Sequence, residues 1–134
     1  MAGKRNGSTN YIHGTYLFEN GDILFNIEYL GLTRMNAKGD ILWKLPYRTH
    51  HSIDRDETGH FWVCGMKWVE DNEAGRERQK RFPGLRFPFA EEYALQVSED
   101  GKILKEISLL EGGVPFDGNL YRGKQSLFQF ILTT

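Results

Sequence analysis

The feature that most constrains this fold is a turn motif that consists of a polar residue, a glycine, a second polar residue and then apolar residues. It occurs four times, centred on Gly21, Gly39, Gly59 and Gly101. A polar residue and glycine between β-favouring runs are typical of a β-hairpin. At Asn20-Gly21 both turn residues are expected to adopt positive φ. The chain is therefore predicted to be a succession of antiparallel hairpins.

The spacing of these glycines divides the chain into two similar units. Gly21 and Gly39 are 18 residues apart, whereas Gly59 and Gly101 are 42 apart, so the second unit carries an insertion. We place the insertion at residues 69–92, between the second and third strands of that unit. Each unit is then a four-stranded antiparallel meander, the size and pattern of a β-propeller blade.

The predicted fold class is all-β: antiparallel four-stranded meander blades of a β-propeller, namely two blades plus a terminal strand. The blade-like units span 11–47 and 49–110, and an apolar terminal strand spans 126–132. Residues 1–10 are polar and are predicted to form a flexible arm before a single β domain at 11–134. At most one short helix is expected, in the insertion between residues 70 and 81.

The insertion has a charged first half and an aromatic, proline-containing second half. Long loops usually bind or cover something, and two interpretations remain open. In the first, its aromatic residues pack over a sheet or a neighbouring subunit. In the second, its basic residues form a lid that attracts anions; they are Arg76, Arg78, Lys80, Arg81 and Arg86.

The charge balance excludes some classes of partner. Seventeen basic residues against eighteen acidic ones, with a pI near 6.4, provide no global field that would gather nucleic acid or an anionic membrane. No signal peptide and no run long enough to span a bilayer are found, so the chain as given is expected to be soluble and cytoplasmic. Cys64 lies in an apolar run and is interpreted as a small buried hydrophobic residue. No cofactor is predicted.

The histidines concentrate at one strand, where His50 and His51 precede Ser52-Ile53. Successive strand side chains point to opposite faces, so His50 and His51 are predicted not to share one small site. No spacing among the four histidines, Cys64 and the carboxylates predicts a metal site.

Two motifs together carry a resemblance to a known family. Gly39-Asp40-Ile41-Leu42-Trp43-Lys44-Leu45, followed by His50-His51-Ser52-Ile53, resembles the arylsulfotransferase-like β-propellers over residues 13–110. In that family a histidine attacks the sulfur of an aryl sulfate and forms a sulfohistidine. The resemblance implies that His51 is the nucleophile and that His50 is an acid or an orienting group. Arg48 and Arg55 would contact the sulfate, with Arg86 as a further anion-binding candidate.

The architecture itself favours a different function. Two blades cannot surround a central channel, so the chain is interpreted first as a non-catalytic binding or scaffolding module derived from such a propeller. The alternative is an aryl sulfate sulfotransferase assembled from several chains. Both interpretations predict a homo-oligomer, either a dimer or three chains closing a six-bladed ring. A small aromatic or sulfated ligand would contact Trp62, Trp68 and Phe87.

Overall fold

The computed structural model describes residues 11–111, which form eight strands and one short helix. The first four strands are β1 (Ile12–Leu17), β2 (Ile23–Ile27), β3 (Gly31–Met35) and β4 (Ile41–Leu45). The next two are β5 (Arg48–Arg55) and β6 (Phe61–Val69). Helix α1 (Glu73–Gln79) follows, and β7 (Phe89–Val97) and β8 (Ile103–Ser108) complete the described fold.

The strands form two four-stranded antiparallel sheets, each a meander in chain order. The first sheet is β1-β2-β3-β4 and the second is β5-β6-β7-β8. The predictions of an all-β chain and of two antiparallel four-stranded meanders are confirmed. The predicted arm at 1–10 and strand at 126–132 lie outside the described residues. Within 11–111, no helix has the length and apolar character needed to cross a bilayer.

All four glycine turns have the same hydrogen bonds. In the first, the Gly21 amide donates to the Phe18 carbonyl at 3.0 Å, and the Phe18 amide donates to the Asp22 carbonyl at 2.8 Å. Only the glycine of each turn has positive φ, between 87° and 94°, so the prediction of two positive-φ residues at Asn20-Gly21 is wrong. The reason is loop length: a three-residue loop combines an ordinary type I turn with one left-handed glycine in a bulge.

The core lies between the two sheets. Leu24 and Leu32 of the first sheet are fully buried, as are Phe61, Leu95 and Val97 of the second. Strand alternation sends these side chains to the facing surfaces, where removal of apolar area from water stabilises the packed pair.

A tight contact also locks the turn between β7 and β8 against the first sheet. A Cβ placed on Gly101 would lie 2.6 Å from a Trp43 ring carbon, so glycine is required at this position. The Trp43 indole donates to the Glu99 carbonyl at 2.9 Å. Contacts at this end therefore fix how the two sheets meet.

The insertion is ordered over residues 70–88, shorter than predicted because β7 already begins at Phe89. The predicted short helix is confirmed: the Asn72 side chain caps α1 by accepting the Gly75 amide at 2.8 Å. The helix is fastened by Arg78, whose Nε donates to the buried Glu91 carboxylate at 2.8 Å. Most basic side chains of the proposed lid are in ion pairs; they are Arg76, Arg78, Lys80 and Arg81.

Candidate functional site at the histidine cluster

Two β-bulges create the candidate site. One interrupts the register of β1 between Ile12 and Thr15, and the other interrupts β5 between His50 and Ile53. The bulges touch, since a Cβ on Gly14 would lie 2.6 Å from the His51 carbonyl oxygen. His51 itself has a φ of 65°, an uncommon value for a residue other than glycine. The bulges therefore redirect side chains that regular strands would keep apart.

Glu28, just after β2, is the buried acid of this cluster. Its Oε1 accepts the His51 backbone N–H at 2.8 Å and lies 3.4 Å from His13 Nδ1. The next residue, Tyr29, has a φ of 61°, and its amide donates to the Thr49 carbonyl at 2.7 Å. The irregular end of β2 is thereby held against β5, with the carboxylate between the two histidines.

The prediction that His50 and His51 serve opposite faces is wrong. Their ring centroids are 4.6 Å apart in an edge-to-face arrangement, because the bulge breaks the two-residue alternation at this point. His50 is buried, and its Nε2 is 2.7 Å from the Glu92 carboxylate. Tyr29 stacks on the His50 ring at 4.9 Å. Glu92 and Tyr29 thus hold the His50 ring in place, and His50 packs against the His51 ring.

Burial is the main influence on the ionisation of His51. It lowers the pKa of the imidazole, and the neighbouring His50 and His13 lower it further, against an opposing effect of Glu28. The ring is therefore neutral at neutral pH, with a lone pair on one nitrogen. Its Nδ1 is buried and has no hydrogen-bond partner within the described structure. This is the protonation state that a nucleophile or a metal ligand requires.

An open cleft of about 390 Å³ lies beside the cluster. Arg48 and Trp68, both predicted site residues, line it together with Tyr29 and Glu92. Trp68 is 47 % exposed, so its ring is available to a ligand. His51 does not line this cleft.

Arg55 lies at the far end of β5 and has other contacts. Its guanidinium donates to the Tyr16 hydroxyl at 2.7 Å, pairs with Glu99 and donates to the Gly59 carbonyl at 3.2 Å. It also lies over the Phe18 ring. Arg55 is thus part of a structural network, and the structure does not bring it to His51.

The remaining predicted residues are also dispersed. Trp62 lies near the turn of the second sheet, where its indole donates to Asp56 at 2.9 Å. Six residues of strand separate Trp62 from Trp68, a distance of about 20 Å. Phe87 stacks on Phe89 at 5.9 Å in the insertion, and the adjacent Arg86 is exposed. Of the predicted site residues, the structure brings His50 and His51 together and places Arg48 and Trp68 at the neighbouring cleft.

The residues that sequence reasoning missed are His13, Glu28, Tyr29 and Glu92. Each belongs to a different strand or turn from His51, and no local spacing links them. The one sequence signal was the buried acid after the apolar strand β2, which requires a polar partner once the sheet is packed. His13, Glu28 and His51 each offer a ligand atom, and these atoms all lie within 4.8 Å of one another.

No family model and no curated protein matches this chain. The arylsulfotransferase resemblance therefore stays a prediction, and function has to be argued from the geometry.

Proposed function

We propose that the protein is a non-catalytic binding or scaffolding module made of two propeller-type blades, and that copies of the chain associate through their outer sheet faces. The observation that carries the proposal is an apolar row across the outer face of the first sheet. Direct cross-strand pairs link its members in the order Leu17, Ile23, Met35 and Ile41. Leu17 is 69 % exposed and Ile41 is 52 % exposed. We call these four residues the outer row.

The second sheet has a row with the same pairing. Arg55 pairs with Phe61, Phe61 with Val97, and Val97 with Ile103. Phe61 stands two residues after Gly59, just as Ile23 stands two residues after Gly21. The two sheets are therefore interpreted as copies of one unit, in which these rows are equivalent.

The equivalent rows differ in what covers them. Phe61 and Val97 are fully buried against the first sheet, whereas the outer row is open at both ends. An apolar row across four strands stabilises the fold only when a second layer covers it. By the same equivalence, the covering surface is the opposite face of the second sheet in another copy. In one cross-strand row of that face Ile107 is partly exposed, whereas its neighbours Cys64 and Ala94 are already covered within the chain.

Such a contact joins two different surfaces of the same chain. Head-to-tail contacts of this kind close into a ring when the rotation between neighbours allows it. Each added copy would repeat the packing already present between the two sheets. The chain is thus suited to building a larger propeller-like body whose rim carries the cleft of Arg48 and Trp68.

The surroundings of His51 favour binding over sulfuryl transfer. The charged group closest to its backbone is the Glu28 carboxylate, which would repel a sulfate. Arg55, expected to hold the sulfate, is paired with Glu99 at the other end of the strand. The transferase activity stays a prediction without a supporting arrangement.

Light scattering after size-exclusion chromatography tests the proposal on the full chain. We expect the wild type to have at least twice the single-chain mass of 15.5 kDa. Leu17→Asp should give the single-chain mass, because a charge buried in an apolar contact costs several kcal/mol of association. Leu30→Asp is the matched control, since Leu30 is 57 % exposed but lies in the turn after β2. A wild type that remains a single chain at micromolar concentration, or a Leu17→Asp variant that still associates, would overturn the proposal.

A further inference from the structure

We propose that His13, Glu28 and His51 form a binding site for a divalent transition metal, with Zn²⁺ the best match, that ties the first sheet to the second. The three ligand atoms lie within 4.8 Å of one another. Two imidazoles and one carboxylate are a donor set that suits Zn²⁺, with a fourth position left for water. The His13 side chain is 38 % exposed, so this position faces solvent.

The distance between His13 and Glu28 fits two ligands of one metal ion. Zn–N and Zn–O bonds of about 2.0–2.1 Å in a tetrahedron hold neighbouring donor atoms about 3.3 Å apart. His13 Nδ1 and Glu28 Oε1 are 3.4 Å apart, beyond the usual range of a hydrogen bond between nitrogen and oxygen. The ring nitrogen of His51 has to move by at most about 1.5 Å to complete the set.

The groups around the ligands hold them in place. The His51 backbone N–H donates to Glu28 Oε1 at 2.8 Å, and the Asn26 side-chain amide donates to the His51 carbonyl at 2.8 Å. Such outer hydrogen bonds orient metal ligands and reduce the cost of ordering them. Stacking of Tyr11 on the His13 ring restrains the third ligand.

The backbone explains why the three residues converge. His13 lies in the bulge of β1, His51 in the bulge of β5, and Glu28 at the irregular end of β2. Bulges commonly re-aim a side chain toward a functional site. Strained conformations such as the positive φ of His51 persist only where surrounding contacts impose them. A metal would give this convergence a function by linking two sheets that are not joined by strand pairing among residues 11–111.

The test is metal titration of the full chain after treatment with a chelator and dialysis. Isothermal calorimetry should show one Zn²⁺ bound per chain, and Co²⁺ should give the visible absorption of a tetrahedral site. A free Zn²⁺ concentration about a hundred times Kd should raise Tm by about 10 °C or more, because only the folded chain has the assembled site. Mg²⁺ should have no such effect, since it prefers octahedral oxygen ligands.

The variants separate this site from other metal binding. His13→Ala should weaken Zn²⁺ binding at least tenfold, and circular dichroism should show a folded protein, because His13 is a partly exposed residue. Glu28→Gln should weaken binding similarly, while its amide oxygen can still accept the His51 N–H. His60→Ala is the control, since its ring contacts Thr58 in a different turn.

Two results would overturn the proposal. One is a wild type without a Zn²⁺-dependent Tm shift, and the other is a His13→Ala variant that binds Zn²⁺ as tightly as the wild type. Neither depends on whether copies of the chain associate, so the two proposals fail separately.

Discussion

Asp56 should be the most stabilising polar side chain among the glycine turns. Its Oδ1 accepts the backbone amides of Thr58 and His60 at 2.9 and 3.0 Å. Its Oδ2 accepts the Trp62 indole and the Gln96 side-chain amide, both at 2.9 Å. One carboxylate thus joins the turn to the two central strands of the second sheet, and we predict that Asp56→Ala destabilises the protein strongly.

The magnitude follows from the groups that lose their partner. The two backbone amides lie in an exposed turn where water can replace the carboxylate, so their loss costs about 1 kcal/mol, as for a helix N-cap. The Trp62 and Gln96 donors are partly buried and bind a charged acceptor, so together they contribute about 2 kcal/mol. The sum of about 3 kcal/mol corresponds to a decrease in Tm of about 10–20 °C for a domain of this size.

Asp56→Asn separates the two contributions. Its amide oxygen can still accept from the turn, but its NH₂ group would face the donors of Trp62 and Gln96, so about two thirds of the loss should remain. Asn36→Ala is the matched control in the first sheet. Asn36 accepts the Lys38 and Asp40 amides at 2.9 and 3.0 Å in an exposed turn, so its loss should cost only about 1 kcal/mol.

The same contacts predict a pH dependence. Burial alone would raise the pKa of Asp56, but the hydrogen bonds from Thr58, Gln96, His60 and Trp62 outweigh it and hold the pKa well below its ordinary 3.8. A carboxyl with a depressed folded-state pKa contributes its stability above the unfolded-state pKa and loses it as the pH falls toward the folded-state value. The difference in the free energy of unfolding between the wild type and Asp56→Ala should thus be constant from about pH 7 to pH 5. It should become smaller below about pH 4.

Urea unfolding across this pH range measures both effects. The reasoning would be refuted if Asp56→Ala lowered the free energy of unfolding by less than about 1 kcal/mol. It would also be refuted if the difference in that free energy between the two proteins did not become smaller in acid.

Two further predictions concern buried groups of the second sheet. Burial, with the Glu92 and Glu28 carboxylates, raises the pKa of Cys64 to about 12. Its thiol should therefore resist alkylation by iodoacetamide at about pH 8 until guanidinium unfolds the chain. Labelling of the native protein at the rate of a free thiol would contradict this prediction. Arg78→Ala should cost about 3 kcal/mol in urea unfolding, because it leaves the Glu91 carboxylate, 1 % exposed, without its cation. Arg76→Ala in the same helix removes only an exposed ion pair with Asp71, so it should change stability by less than about 1 kcal/mol. Equal losses of stability for the two variants would show that the buried Arg78–Glu91 pair contributes no more than the exposed one.

The sequence by itself determined the strands and their order within each sheet. The reason is that these features depend on neighbouring residues, because a glycine in a left-handed turn closes each hairpin. Alternation then selected which side chains of regular strands face the core, as Phe61 and Val63 do.

Only the tertiary structure decided the composition of the candidate site. The opposite-face prediction for His50 and His51 failed because a bulge in β5 interrupts the alternation on which it depended. That bulge rests on Gly14 of β1, a contact between two sheets that no local pattern encodes. The same packing brought Glu28 into the site, whereas Arg55 lies at the other end of β5 and pairs with Glu99 of its own sheet. Local chemistry thus set the hairpins, whereas the close approach of two irregular strands, distant in sequence, set which charged and titratable groups meet.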